Sequence, residues 1–277
     1  MKRLPQSPLP LLLLSVVLAL SGCKKPDAPA AQPGGVRTLK VGASPVPHGE
    51  ILREAARVAE RDGVRVEIVE FTDYVQPNIA LADGQLDANY FQHVPYLERF
   101  SADRKLSLAS VGAVHLEPLG LYSTKHSKPT ELPEGGTVTL PADPTNAGRA
   151  LHLLAQQGLL QLREGVGAAA TLKDVVANPK KLDLREIDAE QQPRTLQDVD
   201  AAIINGNYFL EAQKNLKLEA KVLALESAKG NPYANVLVVR KGDEGRPEVQ
   251  TLLKALHSEE VRRFIETTYG GAVVPAF

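Results

Sequence analysis

Residues 37–70 read RTLKVGASPVPHGEILREAARVAERDGVRVEIVE, and their periodicity decides the fold class. Leu39 and Val41 alternate with polar neighbours over Arg37–Ala43, the period of a half-buried strand. Pro45 and Pro47 break the chain. Ile51, Leu52, Ala55, Val58 and Ala59 then recur at spacings of three and four, which predicts a helix over Glu50–Asp62 stopped by Gly63. Val64, Val66 and Ile68 restore the alternation as far as Glu70.

Working outward, the same alternation continues. A helix is expected over Gln76–Ala82, with strands at Ala88–Tyr90 and Leu106–Val114. After Leu119-Gly120-Leu121-Tyr122 the pattern restarts: strand Thr137–Leu140, helix Asn146–Gln157 before Gly158, and strands Leu182–Ile187 and Ala201–Ile204. An apolar strand, Ala234–Arg240, and two helices, Pro247–His257 and Glu259–Thr268, end the chain. Strands alternating with helices predict an α/β protein with largely parallel sheets. The restart and the terminal return divide it into two lobes, 37–120 with 232–277 and 121–231. They face each other across a cleft and hinge near Gly120–Tyr122 and Gly230–Ala234.

The N-terminal end is read separately. Lys2 and Arg3 precede an apolar run, Leu11–Leu20, too short to span a bilayer comfortably. Leu20-Ser21-Gly22-Cys23 follows directly and resembles a bacterial lipoprotein box. Residues 1–22 are therefore expected to be a signal peptide, with Cys23 as the acylated first residue of the mature chain, carrying a lipid such as palmitate. Cys23 is the single cysteine of 277 residues, which excludes an intrachain disulfide and a multi-cysteine metal site. Residues 23–36, rich in Pro, Ala and Gly, read as a flexible tether. Removing Lys2 and Arg3 from the 32 basic residues leaves 30 against 33 acidic, a net charge of −3. No basic run points to nucleic acid. The expected location is a cell membrane, lipid-anchored and facing the periplasm or the exterior.

No enzymatic motif is present: no G-x-S-x-G elbow, P-loop, H-E-x-x-H or G-x-G-x-x-G. No cofactor or metal is expected. His48 and His93 have the chemistry of metal ligands but are read as packed histidines, and Asp83 and Asp87 as solvated. Five polar and aromatic segments instead fall at strand boundaries: 71–78, 87–97, 141–149, 204–208 and 231–235. In open α/β sheets, ligands collect beyond the carboxyl ends of strands, so these segments can converge on one crevice.

The stretches DYVQPN (73–78), DANYFQHVPYL (87–97), DPTNAGR (143–149), IIN (203–205) and NPYAN (231–235) carry a resemblance. The chain is similar, over nearly its whole mature length, to methionine-binding lipoproteins of the NlpA/MetQ type. The resemblance implies a two-lobed periplasmic-binding-protein fold, type II-like, with no catalytic activity. It also implies delivery of methionine, a related small amino acid or a methionine-containing peptide to an ABC permease with its ATPase. The alternative from a different class is a surface lipoprotein with an adhesion or scaffolding role, holding a structural ligand. The residue types suit an amino acid. Arg149, close after Asn146 in a helix start, can offer a carboxylate two parallel hydrogen bonds. Asn205 and Asn235 can offer carbonyls to an ammonium. Tyr74, Phe91, His93 and Tyr96 can surround a thioether. Tyr90 is given no role.

Cys23→Ala is expected to release the protein into the soluble fraction, or to leave it unprocessed, on cell fractionation. A correctly processed mutant that stays with the membrane contradicts the anchor.

Overall fold

The structure, a computed structural model, describes residues 36–277. The expected signal peptide, Cys23 and the tether as far as Gly35 lie outside the described residues. The opening stretch forms β1 (Arg37–Ala43), α1 (Glu50–Arg61) and β2 (Val64–Glu70). β1 and β2 pair in parallel from Arg37 opposite Val64 to Ala43 opposite Glu70. α2 (Gln76–Ala82), β3 (Ala88–His93), α3 (Val94–Arg104) and β4 (Leu108–Leu116) follow.

The chain then crosses into a second sheet with β5 (Gly120–Ser123), β6 (Thr137–Pro141) and α4 (Pro144–Gln156). A small hairpin of β7 (Gln161–Leu162) and β8 (Val175–Ala177) precedes β9 (Asp183–Ile187), α5 (Gln192–Thr195), β10 (Ala201–Ile204), α6 (Gly206–Asn215) and β11 (Lys221–Leu225). A second crossing returns it to β12 (Asn235–Arg240), α7 (Pro247–Leu256), α8 (Glu259–Tyr269) and β13 (Val274–Pro275). The strand orders are β13-β4-β12-β3-β1-β2 and β11-β5-β10-β6-β9.

Each sheet is covered on both faces because its central strands are apolar on both. In β12, Leu237 and Val239 pack with Ile51, Leu52, Leu252 and Leu256 from α1 and α7. Val236 and Val238 point the other way, toward Leu81 of α2 and Leu97 of α3. β10 does the same: Ala201 and Ile203 meet Leu151 and Leu154 of α4, whereas Ala202 and Ile204 meet Tyr208 and Phe209 of α6. Burying one such Leu or Ile contributes about 1.5–3 kcal/mol.

The sheets are mixed rather than largely parallel. β1, β2 and β3 are mutually parallel, as are β6, β9 and β10, but β12 is antiparallel to β3 and β4, and β5 to β10 and β11. The reason is the crossing itself. β5 and β12 each arrive from the other sheet, so they begin at the cleft where β3, β4 and β10 end. Most other strands deliver their carboxyl ends to that cleft, and among the described residues no helix is long and apolar enough to cross a membrane.

α4 starts two residues before the expected Asn146. Asp143 caps it by accepting from the Asn146 backbone N–H at 2.9 Å, and Pro144 occupies the first turn. Arg149 therefore sits in the second turn, past the free N–H groups. Gly148, beside it, faces the loop at 168–170, and a Cβ there would lie 2.1 Å from the Ala168 carbonyl oxygen. Gly148→Ala is expected to cost about 1–3 kcal/mol through that overlap. By thermal unfolding, the midpoint should fall by roughly 5 °C; an unchanged midpoint contradicts the close packing.

Candidate functional site

All eight residues expected from the sequence, Tyr74, Phe91, His93, Tyr96, Asn146, Arg149, Asn205 and Asn235, line one cavity. Gln92, Glu117, Gly206 and Asn207 line it as well; Gln92, Gly206 and Asn207 fall in segments expected to converge there, and Glu117 does not. The first lobe supplies an aromatic wall. Tyr74, Phe91 and Tyr96 meet edge-on or tilted with ring centroids 5.8–6.1 Å apart, and Phe100 stacks behind Tyr96 at 5.6 Å. β3 continues to His93, three residues beyond the expected strand, which carries Phe91 and His93 to the cleft.

His93 caps α3: its Nδ1 accepts from the Tyr96 backbone N–H at 3.1 Å. That fixes the proton of the neutral ring on Nε2, which donates to Asn146 Oδ1 at 3.2 Å. The same oxygen accepts from Asn205 Nδ2 at 3.1 Å, so one amide carbonyl joins the two lobes. Tyr74 Oη donates to Asn207 Oδ1 and Tyr208 Oη to the Thr72 carbonyl at 3.1 Å. A Lys214–Glu50 ion pair closes the far edge.

Arg149, 4% exposed, is held by both crossing segments. Its Nε donates to Glu226 at 2.7 and 2.9 Å, and its Nη2 to Glu226 and to the Glu117 carbonyl at 3.0 Å. The Tyr233 ring lies 4.3 Å below the guanidinium carbon. The expected two-pronged fork is therefore already engaged by Glu226, and Nη1 is the group left for a ligand. Asn235 also differs from expectation: its Oδ1 is bonded to His48 Nε2 at 3.0 Å, which leaves its amide nitrogen rather than its carbonyl. Asn205 keeps the expected chemistry. Its Oδ1 is buried without a partner, as is Asn207 Nδ2.

Glu117, just beyond β4, is buried beneath the first turn of α6. Its carboxylate accepts from His115 Nε2 at 2.6 Å, the Asn207 backbone N–H faces it, and His48 Nε2 lies 3.4 Å away. His115 Nδ1 meets the Tyr90 hydroxyl. His48, His115 and Glu117 bring ligating atoms within 4.8 Å of one another, but these atoms are already hydrogen-bonded among themselves and to Asn235 and Tyr90. Burial pushes His48 down to about 4, and His93 and His115 down to about 3, with Arg149 adding to the effect at His93; burial pushes Glu117 up. The only hint of Glu117 in the sequence is a carboxylate amid the apolar run VGAVHLEPLGLY.

The sequence profile of the NlpA lipoprotein family matches residues 39–277. The chain belongs to that family. A probable D-methionine-binding lipoprotein MetQ of Vibrio cholerae is 44% identical over 85% of this chain and 87% of its own length. Among solved structures, a nutrient-binding protein from Burkholderia cenocepacia bound to methionine has a TM-score of 0.82 at 44% identity. It is covered over 100% of its length by 86% of this chain. A periplasmic substrate-binding protein of an ABC transporter from Coxiella burnetii has a TM-score of 0.80 at 40% identity, over 86% of this chain and 100% of its own. As an NlpA-family member the chain has the two-lobed substrate-binding fold and is a binding protein, not an enzyme.

The buried histidines set an acid response. Their folded values lie below the unfolded value of 6.5, so the unfolded chain binds more protons from pH 6.5 down to about 4. Stability is therefore lost as pH falls through that window; the raised Glu117 opposes this in part, since it takes up a proton in the folded state. The unfolding midpoint is expected to drop by roughly 5 °C or more between pH 6.5 and 4.5, with a shallower slope in His93→Gln. A flat profile contradicts the neutral, buried histidines.

Proposed function

We propose that this protein is the substrate-binding component of an ABC importer, capturing methionine or a closely related small amino acid and delivering it to the permease. The single observation that carries this reading is the set of uncommitted polar atoms in one cavity. Asn205 Oδ1 is an acceptor without a donor, Asn207 Nδ2 a donor without an acceptor, and Arg149 keeps Nη1 free of the Glu226 pair. A zwitterion brings the complementary pair. Its carboxylate takes the donors and its ammonium the acceptor, so desolvation of both ends is repaid within the cavity.

The aromatic wall opposite suits a soft, polarizable thioether, which favours ring edges at about 5 Å. The relatives support the same assignment, since one is named for D-methionine and another is bound to methionine. On this reading the lobes are 37–120 with 232–277 and 121–231, and closure of the cleft around the ligand is a shift between pre-existing open and closed states. Acylation at Cys23 would hold the carrier at the membrane, facing the periplasm or the exterior, beside its permease and ATPase.

Calorimetry on ligand-free, refolded protein tests the reading. Methionine is expected to bind the wild type. Asn205→Ala should weaken it by about 10- to 100-fold, the usual loss for a hydrogen bond to a charged group. Arg149→Lys should weaken it comparably and also lower the unfolding midpoint, because Lys cannot bind Glu226 through two nitrogens. Wild-type protein that binds no methionine contradicts the proposal.

A further inference from the structure

The carboxyl of Glu117 is buried without a guanidinium or ammonium partner of its own. Among the described residues that line the cavity, Arg149 is the one guanidinium or ammonium, and it is committed to Glu226 through Nε and Nη2 while touching only the carbonyl of Glu117. The groups that do face the Glu117 carboxylate are His115, His48 and the Asn207 backbone N–H, and both imidazoles are neutral at pH 7. A carboxylate has about four acceptor positions, so this one retains capacity on the side that lines the cavity. Gly206 keeps that side accessible to α6, since a Cβ there would lie 2.7 Å from Glu117 Cβ and 2.9 Å from Oε2. The neighbouring unpartnered atom on the cavity wall, Asn205 Oδ1, is also an acceptor.

Two acceptors on one cavity wall, one of them a carboxyl group with no cation of its own, call for a ligand group that donates several hydrogen bonds and carries positive charge. We propose that Glu117 is the counter-charge of the ligand's ammonium and, with Asn205, selects ligands bearing a free primary amine. This rests on the amino-acid reading above and assigns its specificity. His115 and Tyr90 act as positioning residues. The neutral His115 ring donates Nε2–H to Glu117, so its Nδ1 must accept from the Tyr90 hydroxyl. This also argues against a metal at the same cluster. A metal ligand needs a free nitrogen lone pair, and the lone pair of His115 is taken by Tyr90.

The competing explanation is that Glu117 merely caps α6 through the Asn207 N–H. Calorimetry with two ligands separates the roles: methionine, and 4-(methylthio)butanoate, which has hydrogen in place of the ammonium. Wild-type protein should prefer methionine by about 100-fold or more. Glu117→Gln should weaken methionine by about 30-fold or more while changing the amine-free analogue by less than about threefold, so that the preference collapses. Equal weakening of both ligands indicates a capping role alone and overturns the proposal, as does an unchanged preference. Either result leaves the amino-acid reading standing, whereas a wild type that binds neither ligand removes both. If Glu117→Gln does not fold, the wild type still decides: similar affinities for the two ligands overturn the proposal, and a preference of about 100-fold or more supports it.

Discussion

A guanidinium taken out of water must find partners for its donors and an anion for its charge, and the position of Arg149 is organised by that demand. Burying an unpaired charge costs several kcal/mol. Glu226 and the Glu117 carbonyl satisfy two of its three nitrogens, and Tyr233 covers one face of the plane. These partners come from both connections between the sheets, Glu117 from the first and Glu226 and Tyr233 from the second. The connections are also tied to each other: Glu226 N–H donates to the Leu119 carbonyl at 3.0 Å, and the Leu119 N–H to Glu226 Oε2 at 3.1 Å. One side chain from α4 thus holds the crossing together and forms part of the cavity wall.

The strand and helix pattern was legible because it is local. Alternation over Arg37–Ala43 and Val64–Glu70 and the apolar β12 each follow from neighbouring residues, whereas α4 starts at Pro144, two residues before the expected Asn146. The convergence of the eight lining residues was legible as well, since strand ends in such folds meet at one crevice. What the sequence could not reveal depends on pairing across distance. Arg149 and Glu226 are 77 positions apart, and no local signal says that this carboxylate takes the fork of the guanidinium. Asn207 and Glu117 were hidden for the same reason. Asn207 lies in a segment expected at the crevice and Glu117 amid an apolar run, and only tertiary packing turns either side chain into the cavity. The antiparallel placement of β5 and β12 is likewise a property of the crossing, which periodicity does not encode.

The site is chemically quiet, as suits a binding protein that is not an enzyme. Its His93 is held neutral, and burial pushes the Tyr74 and Tyr96 hydroxyls further from ionisation. Tyr74 shows how one residue can serve two needs. Its ring belongs to the apolar wall, and its hydroxyl orients the Asn207 amide from the opposite lobe.

The contacts that cross the cleft include several polar ones, His93 to Asn146, Tyr74 to Asn207, Tyr208 to the Thr72 carbonyl, and Lys214 to Glu50, beside the Tyr74 ring on Tyr208 at 4.9 Å and Leu210 on the first core. Each of the polar contacts can be exchanged for a bond to water, so the net gain on forming it is only about 0.5–1.5 kcal/mol. An apolar seam of the same extent would hold the lobes shut, because parting it exposes surface that water cannot compensate. The polar share of this seam can be mended by water on both sides, so hydration of the cleft enters the energetics of any movement there.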